Sequence, residues 1–162
     1  MRISRDAWAM ELAQVTARRS TCLRRSVGCV LLNARGHVLA TGYNGVAAGL
    51  PHCNERELCG RVDCRDEECR GHPRACLGAS APSGTQLEAC EAIHAECNAC
   101  LQCRDVWALE ACYVTVSPCV SCVKLLLNTS TQRVVFAEPY AHDAQAKELW
   151  TRAGRLWVPL NA

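Results

Sequence analysis

Two short segments of the chain bring together residue types that can handle a metal ion and a proton. His94-Ala95-Glu96 is followed by Ser117-Pro118-Cys119-Val120-Ser121-Cys122. His94, Cys119 and Cys122 form a set of borderline and soft ligands that would hold a zinc ion while leaving one tetrahedral position open to water, and zinc lowers the pKa of such a water to about 7. Glu96 then has the chemistry of a proton carrier between that water and a substrate. Either segment alone is common. Their order, with the imidazole and carboxylate at the start of one helical pattern and the thiols at the start of another, is specific. A helix N-terminus favours thiolates through its unpaired N–H groups and dipole. One tension stands: residues two apart splay on an ideal helix, so His94 and Glu96 must lie in an irregular first turn to share a pocket.

The elements that must position these groups follow from periodicity. Trp8, Leu12 and Val15 recur at helical spacing, which predicts a helix over 4–20 that Ser4 and Asp6 can start and whose stripe faces a sheet. Val27 to Leu32 and His37 to Tyr43 are β-rich runs joined by the turn-former Asn33-Ala34-Arg35-Gly36. From Gly45 to Glu88 periodicity disappears, over a stretch far longer than an ordinary connection of about 4–6 residues. Then come a helix from Ile93 to Arg104, a strand from Cys112 to Val116, a helix from Pro118 to Leu127 and a strand from Arg133 to Ala137. A helix from Asp143 to Ala153, ended by Gly154, and a strand from Arg155 to Val158 complete the pattern. The alternation predicts an α/β fold, a mixed sheet covered by helices, in one domain spanning 1–162 with a Cys-rich insertion at about 45–90.

Fourteen cysteines in 162 residues need a reason. The opening MRISRDAWAMELAQ lacks an apolar signal core, so the expectation is a cytoplasmic protein in which metal ligation accounts for the thiols better than disulfides do. Cys59, Cys64, Cys69 and His72 could form a closed four-ligand zinc site that orders a segment without a core of its own; free thiols, or ligands shared with a neighbouring site, are the alternatives. Cys29, Cys97, Cys100, Cys103 and Cys112 fall on expected strands and helices and read as small buried apolar residues. No window approaches the ~18 apolar residues of a membrane span. Eighteen basic against sixteen acidic residues give a net charge of +2, and only 5% of residues are aromatic. A basic groove with stacking rings for nucleic acid is therefore not expected, and a phosphate-sized partner fits better. Arg24 and Arg25 carry guanidinium groups suited to such a phosphate.

The H-x-E and P-C-x-x-C pair is the signature of zinc-dependent deaminases, and nearly the whole chain resembles the deoxycytidylate deaminase family of the bacterial late-competence and phage type. The similarity runs through Arg19-Ser20-Thr21-Cys22, Val27-Gly28, Thr41-Gly42-Tyr43-Asn44-Gly45, His52-Cys53, Pro82-Ser83-Gly84, Cys90, His94-Ala95-Glu96 with Asn98-Ala99, Ser117-Pro118-Cys119, Cys122 and Tyr140. The resemblance implies a three-layer α/β/α sandwich on a five-stranded cytidine-deaminase-like sheet. It implies hydrolysis of dCMP to dUMP and ammonia, feeding thymidylate synthesis, with Glu96 serving the ring nitrogen and the leaving ammonia. By the same resemblance the Asn44 amide contacts the sugar, Ser117 and the Ala95 backbone address the base, and Tyr140 belongs to the substrate site. The residues alone also allow Tyr43-Asn44-Gly45 to be no more than a tight turn.

A second, structural zinc is implied on Cys22, Cys53 and Cys90, with the fourth ligand from Cys59 or Cys76 and Cys76 preferred for its place ahead of the Pro82 turn. Cys59, Cys64, Cys69 and His72 would then hold the third. The resemblance further implies dCTP and dTTP as effectors, which some members lack, and a homo-oligomer, a hexamer in many relatives. Cys97 stands where relatives carry a larger residue such as glutamine, which opens the site to a 5-substituted deoxycytidylate. Two rival readings are a deaminase of a base within nucleic acid and, from another class, a non-catalytic zinc-binding interaction module. The second leaves Glu96 without a role.

Overall fold

The β-rich runs flanking Asn33-Ala34-Arg35-Gly36 form an antiparallel hairpin of β1 (Gly28–Asn33) and β2 (Val38–Tyr43). The Asn33 side-chain carbonyl closes the turn, accepting from the Arg35 N–H at 3.0 Å and the His37 N–H at 2.9 Å. The structure is a computed structural model that describes residues 1–50, 52–53, 78, 81–82 and 84–160. Two short strands, β3 (Gly45–Val46) and β4 (Ala92–Ile93), pair antiparallel on either side of the long excursion. The remaining strands are β5 (Leu109–Val116), β6 (Arg133–Glu138) and β7 (Leu156–Pro159). The main sheet has the order β2-β1-β5-β6-β7, antiparallel up to β5 and parallel from β5 to β7, so it is mixed and five-stranded.

Both faces of the sheet are buried, and alternate residues divide between them as the pleat requires. Cys29, Leu31, Cys112, Val114, Val134 and Phe136 pack with Ala95 and Ala99, with Val123 and Leu126, and with Ala146 and Trp150. Those last pairs come from three helices, α2 (Ala95–Gln102), α3 (Val120–Leu127) and α4 (Ala144–Arg152). Val30, Leu32, Ala111, Tyr113 and Val135 pack on the other face against α1 (Arg5–Ala17). Three layers result.

The expected stripe of α1 is kept only in part: Trp8 and Leu12 pack half-buried against the sheet, while the most deeply buried face lies beside them. Ser4 does cap the helix, its hydroxyl accepting from the Ala7 N–H at 3.1 Å, but Val15 is 60% exposed and the buried face is Ala9, Met10, Ala13 and Ala17. The reason is distance. A Cβ on Gly28 would fall on the Ala13 carbonyl oxygen and the Ala17 amide, so the helix lies too close to β1 for large side chains and alanines set its contact face. Gly42 on β2 plays the same part for α2, with the Ala95 carbonyl and the Ala99 amide where its Cβ would be. That close approach sets the height at which α2 begins, and so the position of His94 and Glu96.

α3 is held from its far end. Arg155 donates to the carbonyls of Leu126 at 3.0 Å and Leu127 at 2.9 Å in the last turn of α3, and to that of Thr129 at 3.2 Å just beyond it. The opposite end of α3, which carries the two thiols, is thereby fixed above β5. No helix among the described residues is long and apolar enough to cross a membrane.

Candidate active site

The spacing tension between His94 and Glu96 resolves at the start of α2. His94 is the N-cap, with extended backbone angles (φ −68°, ψ 153°), and Glu96 lies in the first turn. The imidazole is therefore not constrained to a helical direction. The helix is shorter than its sequence pattern because Ile93 belongs to β4, where it pairs with Gly45. On the other side, Ser117 and the buried Pro118 carry the chain from the central strand β5 to Cys119, the N-cap of α3, with Cys122 in its first turn.

These two helix starts meet. The ligand atoms of His94, Cys119 and Cys122 lie within 4.8 Å of one another, and among the described residues no other group of three or more His, Cys, Asp or Glu does so. His94 Nδ1 is 3.4 Å from Cys119 Sγ and 3.3 Å from Cys122 Sγ. A tetrahedral zinc with ordinary Zn–S and Zn–N bonds separates sulfur and nitrogen ligands by about 3.5 Å, so the donor set fits that metal in identity and in size. The electrostatics agree. Contact with Cys122, joined by His94 and opposed by burial, brings the Cys119 thiol down to about 4, while contact with Cys119 pushes Cys122 up. Two neighbouring thiolates repel unless a cation lies between them, so one proton stays. Contact with the Cys119 thiolate likewise raises the His94 imidazole to about 9. These shifts favour protons on Cys122 and His94 that a bound dication would displace.

Glu96 is 4% exposed, and burial raises its carboxyl above the ordinary value. It lines a cleft together with His94, Ala95, Cys119, Ser117, Asn44 and Tyr140, and with Arg24 and Arg25. Leu87, Val116 and Ala92 add apolar wall. Burial also raises the Tyr140 phenol.

The two arginines differ. Arg24 donates from one nitrogen to the Pro82 carbonyl at 2.5 Å and the Thr85 carbonyl at 2.9 Å, clamping the 82–85 turn. Arg25 Nη1 is buried and has no hydrogen-bond partner among the described residues. Asn44 is buried and already engaged: its carbonyl accepts from the Ser20 hydroxyl at 2.7 Å and the Val27 N–H at 2.8 Å, and its amide nitrogen donates to the Arg25 carbonyl at 2.6 Å. It ties the Arg24-Arg25 segment to the end of β2. That nitrogen carries a second hydrogen besides the one donated to Arg25. The Ser117 hydroxyl is also engaged, donating to Asp143 Oδ2 at 2.6 Å and accepting from the Tyr140 N–H at 2.6 Å.

The expected second ligand set is partly in view. Cys53 and Cys90 pack with Val46, and Cys22 and Cys90 line the cleft, whereas Cys76, and with it Cys59, Cys64, Cys69 and His72, lies outside the described residues. Of the five cysteines read as core, Cys29 and Cys112 are fully buried; Cys97, Cys100 and Cys103 are only half-buried. Cys97 faces the ligands instead, 3.9 Å from Cys122 Sγ. Asp143 was not singled out by sequence, because an aspartate just before a helix reads as a cap.

Residues 3–138 match the family model of the cytidine and deoxycytidylate deaminase zinc-binding region. The chain is 34% identical to the deoxycytidylate deaminase of Schizosaccharomyces pombe over 98% of its own length, and it spans only 45% of that yeast protein. It is 34% identical to the deoxycytidylate deaminase of Mycobacterium phage D29, covering 81% of this chain and 92% of that one. ComE operon protein 2 of Bacillus subtilis is 33% identical over 94% of the chain and 69% of its own length. The fold is similar to that of the dCMP deaminase of cyanophage S-TIM5 in complex with dCMP and dUMP, with a TM-score of 0.69 at 20% identity over 99% of both chains. The matched region contains β1 to β6, the cluster of His94, Cys119 and Cys122, and Glu96, and by that match the chain belongs to the cytidine and deoxycytidylate deaminases.

Proposed function

We propose that the protein deaminates dCMP hydrolytically to dUMP, with His94, Cys119 and Cys122 holding a zinc ion. The observation that carries this reading is one cleft lined at once by the His-Cys-Cys cluster, the buried Glu96 and Arg25, whose Nη1 has no partner among the described residues. Bound at that cluster, zinc supplies the Lewis acidity that makes water nucleophilic at neutral pH. Glu96 takes a proton from the attacking water and delivers it to N3 of the pyrimidine, then takes the proton of the hydroxyl added at C4 and passes it to the 4-amino group, so that the C4–N bond breaks, the carbonyl forms and ammonia leaves. Its burial, which raises the carboxyl, suits a group that must hold a proton and then release it. The unpartnered Arg25 nitrogen supports recognition of a 5′-phosphate, because a buried donor without an acceptor costs about 1–3 kcal/mol that an anionic ligand would remove. The second N–H of the Asn44 amide would serve the sugar, on the wall of the same cleft. In this reading the metal at His94 is catalytic, and a structural zinc on Cys22, Cys53, Cys90 and Cys76 fastens the excursion to the cleft.

The test is ammonia release from dCMP, cytidine, dCTP and a tRNA-like oligonucleotide, comparing the intact protein with Glu96→Ala at matched zinc content. Turnover of dCMP that falls about 10²–10⁴-fold in the variant is the expected result. Activity on the oligonucleotide alone would overturn the reading.

A further inference from the structure

The residue at the start of α4 does something its position does not require. Asp143 is the N-cap of α4, where an aspartate ordinarily accepts from the second or third N–H of the helix. Here it makes no capping bond. Its Oδ2 accepts from the Ser117 hydroxyl at 2.6 Å, across 26 positions of sequence. With its hydrogen committed to the carboxylate, the hydroxyl presents a lone pair to the Tyr140 N–H, also at 2.6 Å. The connection from β6 to α4 is thus buttoned to the strand end that leads into Cys119. Tyr140 lines the cleft, its hydroxyl and the His142 ring lie where a Cβ on Gly84 would be, and the two rings meet edge-on at 5.6 Å. The 82–85 turn they rest on is the one Arg24 clamps.

We propose that Asp143 is a positioning residue for the deaminase site: through the Ser117 hydroxyl it fixes Tyr140 as a wall of the substrate cleft. This deepens the reading of the cleft as a nucleotide site and rests on it. The Asp143 carboxylate reaches the site through its hydrogen bond from Ser117, which is neither a metal ligand nor the proton carrier, so its loss weakens substrate capture and leaves the chemical step. The Ser117 hydroxyl is on this account a fastener, and its carboxylate partner sets the direction in which it accepts.

The experiment uses the zinc-loaded full chain. Steady-state kinetics on dCMP are compared for Asp143→Asn, Asp143→Ser, Ser117→Ala and the Asp143→Ser/Ser117→Ala pair, and hydrogen exchange is followed at the Tyr140 amide. Asp143→Ser keeps a residue able to cap α4, so the helix persists while the reach to Ser117 is lost. The expected results are a KM raised about fivefold to tenfold by Asp143→Ser with kcat within about twofold, near-normal KM for Asp143→Asn, which still accepts, and a double variant no worse than Ser117→Ala. The Tyr140 amide should exchange about five to ten times faster in Asp143→Ser than in Asp143→Asn. A fall in kcat at unchanged KM, an equal loss in Asp143→Asn, or additive effects of the two sites would overturn the proposal. If the wild-type protein does not turn over dCMP, the substrate reading fails, and the Tyr140 exchange rates still decide whether Asp143 positions that residue.

Discussion

Two pairs of described cysteines, Cys29 with Cys112 and Cys119 with Cys122, make a contrast in which the second is the pair placed for chemistry. Cys29 and Cys112 lie fully buried between β1 and β5, their sulfurs 3.5 Å apart. Cys119 and Cys122 lie at the start of α3 beside an imidazole. Burial does not separate them, since Cys122 is as buried as the core pair. Neighbours do. In the sheet, contact with Cys112 and burial push the Cys29 thiol well up, and nothing nearby favours a thiolate. At α3, a second thiol, His94 and the Cys122 N–H bring Cys119 down to about 4. A thiol becomes a ligand through the donors around it, not through its depth.

The contrast can be broken most directly by truncating one member of each pair. Cys119→Ala should abolish turnover and remove about one zinc per chain by elemental analysis, whereas Cys29→Ala should leave zinc content unchanged; metal loss from the second variant would erase the distinction. A smaller effect is expected in the core. Cys112→Ala should lower stability by about 1–2 kcal/mol, seen as a melting temperature lower by roughly 2–8 °C, with activity per folded molecule retained. An unchanged melting temperature would mean that the core pair contributes no packing.

Two carboxylates repeat the contrast on the smallest scale. Glu96 is buried and raised. Asp6, near the surface, feels some burial in the same direction, but hydrogen bonds from Tyr113 at 2.6 Å and Arg133 at 2.8 Å outweigh it and hold its carboxyl below the ordinary 3.8. A lowered folded-state value means a contribution that is complete above the unfolded value and is lost as pH falls through the folded one. The stability gap between wild type and Asp6→Asn should therefore be flat at neutral pH, about 1 kcal/mol or less for so exposed a pair, and should close as pH drops below 3.8. A gap that grows in acid would reverse the sign.

Sequence alone reveals most of the sheet because its strands are apolar runs bounded by turn chemistry. The His94 and Cys119-Cys122 segments are legible because ligand chemistry restricts residue type as well as spacing. What escapes has physical reasons. Val15 misleads because α1 packs through Ala9, Ala13 and Ala17, and small residues carry no hydrophobic signal. β3 and β4 are two-residue strands, one opening the stretch without periodicity and the other just beyond it where the helical pattern begins, too short for any alternation to register. The difference between Arg24 and Arg25 is invisible in adjacent identical letters and arises only when Pro82 and Thr85 supply carbonyls to one of them. Ser117 and Asp143 are an ordinary serine and an ordinary cap until the fold brings them together.

The pairing of β3 with β4 has a consequence for how this architecture can vary. Gly45 and Val46 lie beside Ile93 and Ala92, so the chain leaves the site and returns to it about one strand spacing, 4.7–4.9 Å, apart. Everything between departs and arrives through one gateway. Closing a longer or shorter detour through fixed ends changes the entropy only logarithmically, by about 0.6 kcal/mol for each doubling of length. The gateway lets the length of the detour change while α2 still begins at the same height over Gly42, provided the detour still delivers Gly84, Leu87 and Cys90 to the cleft.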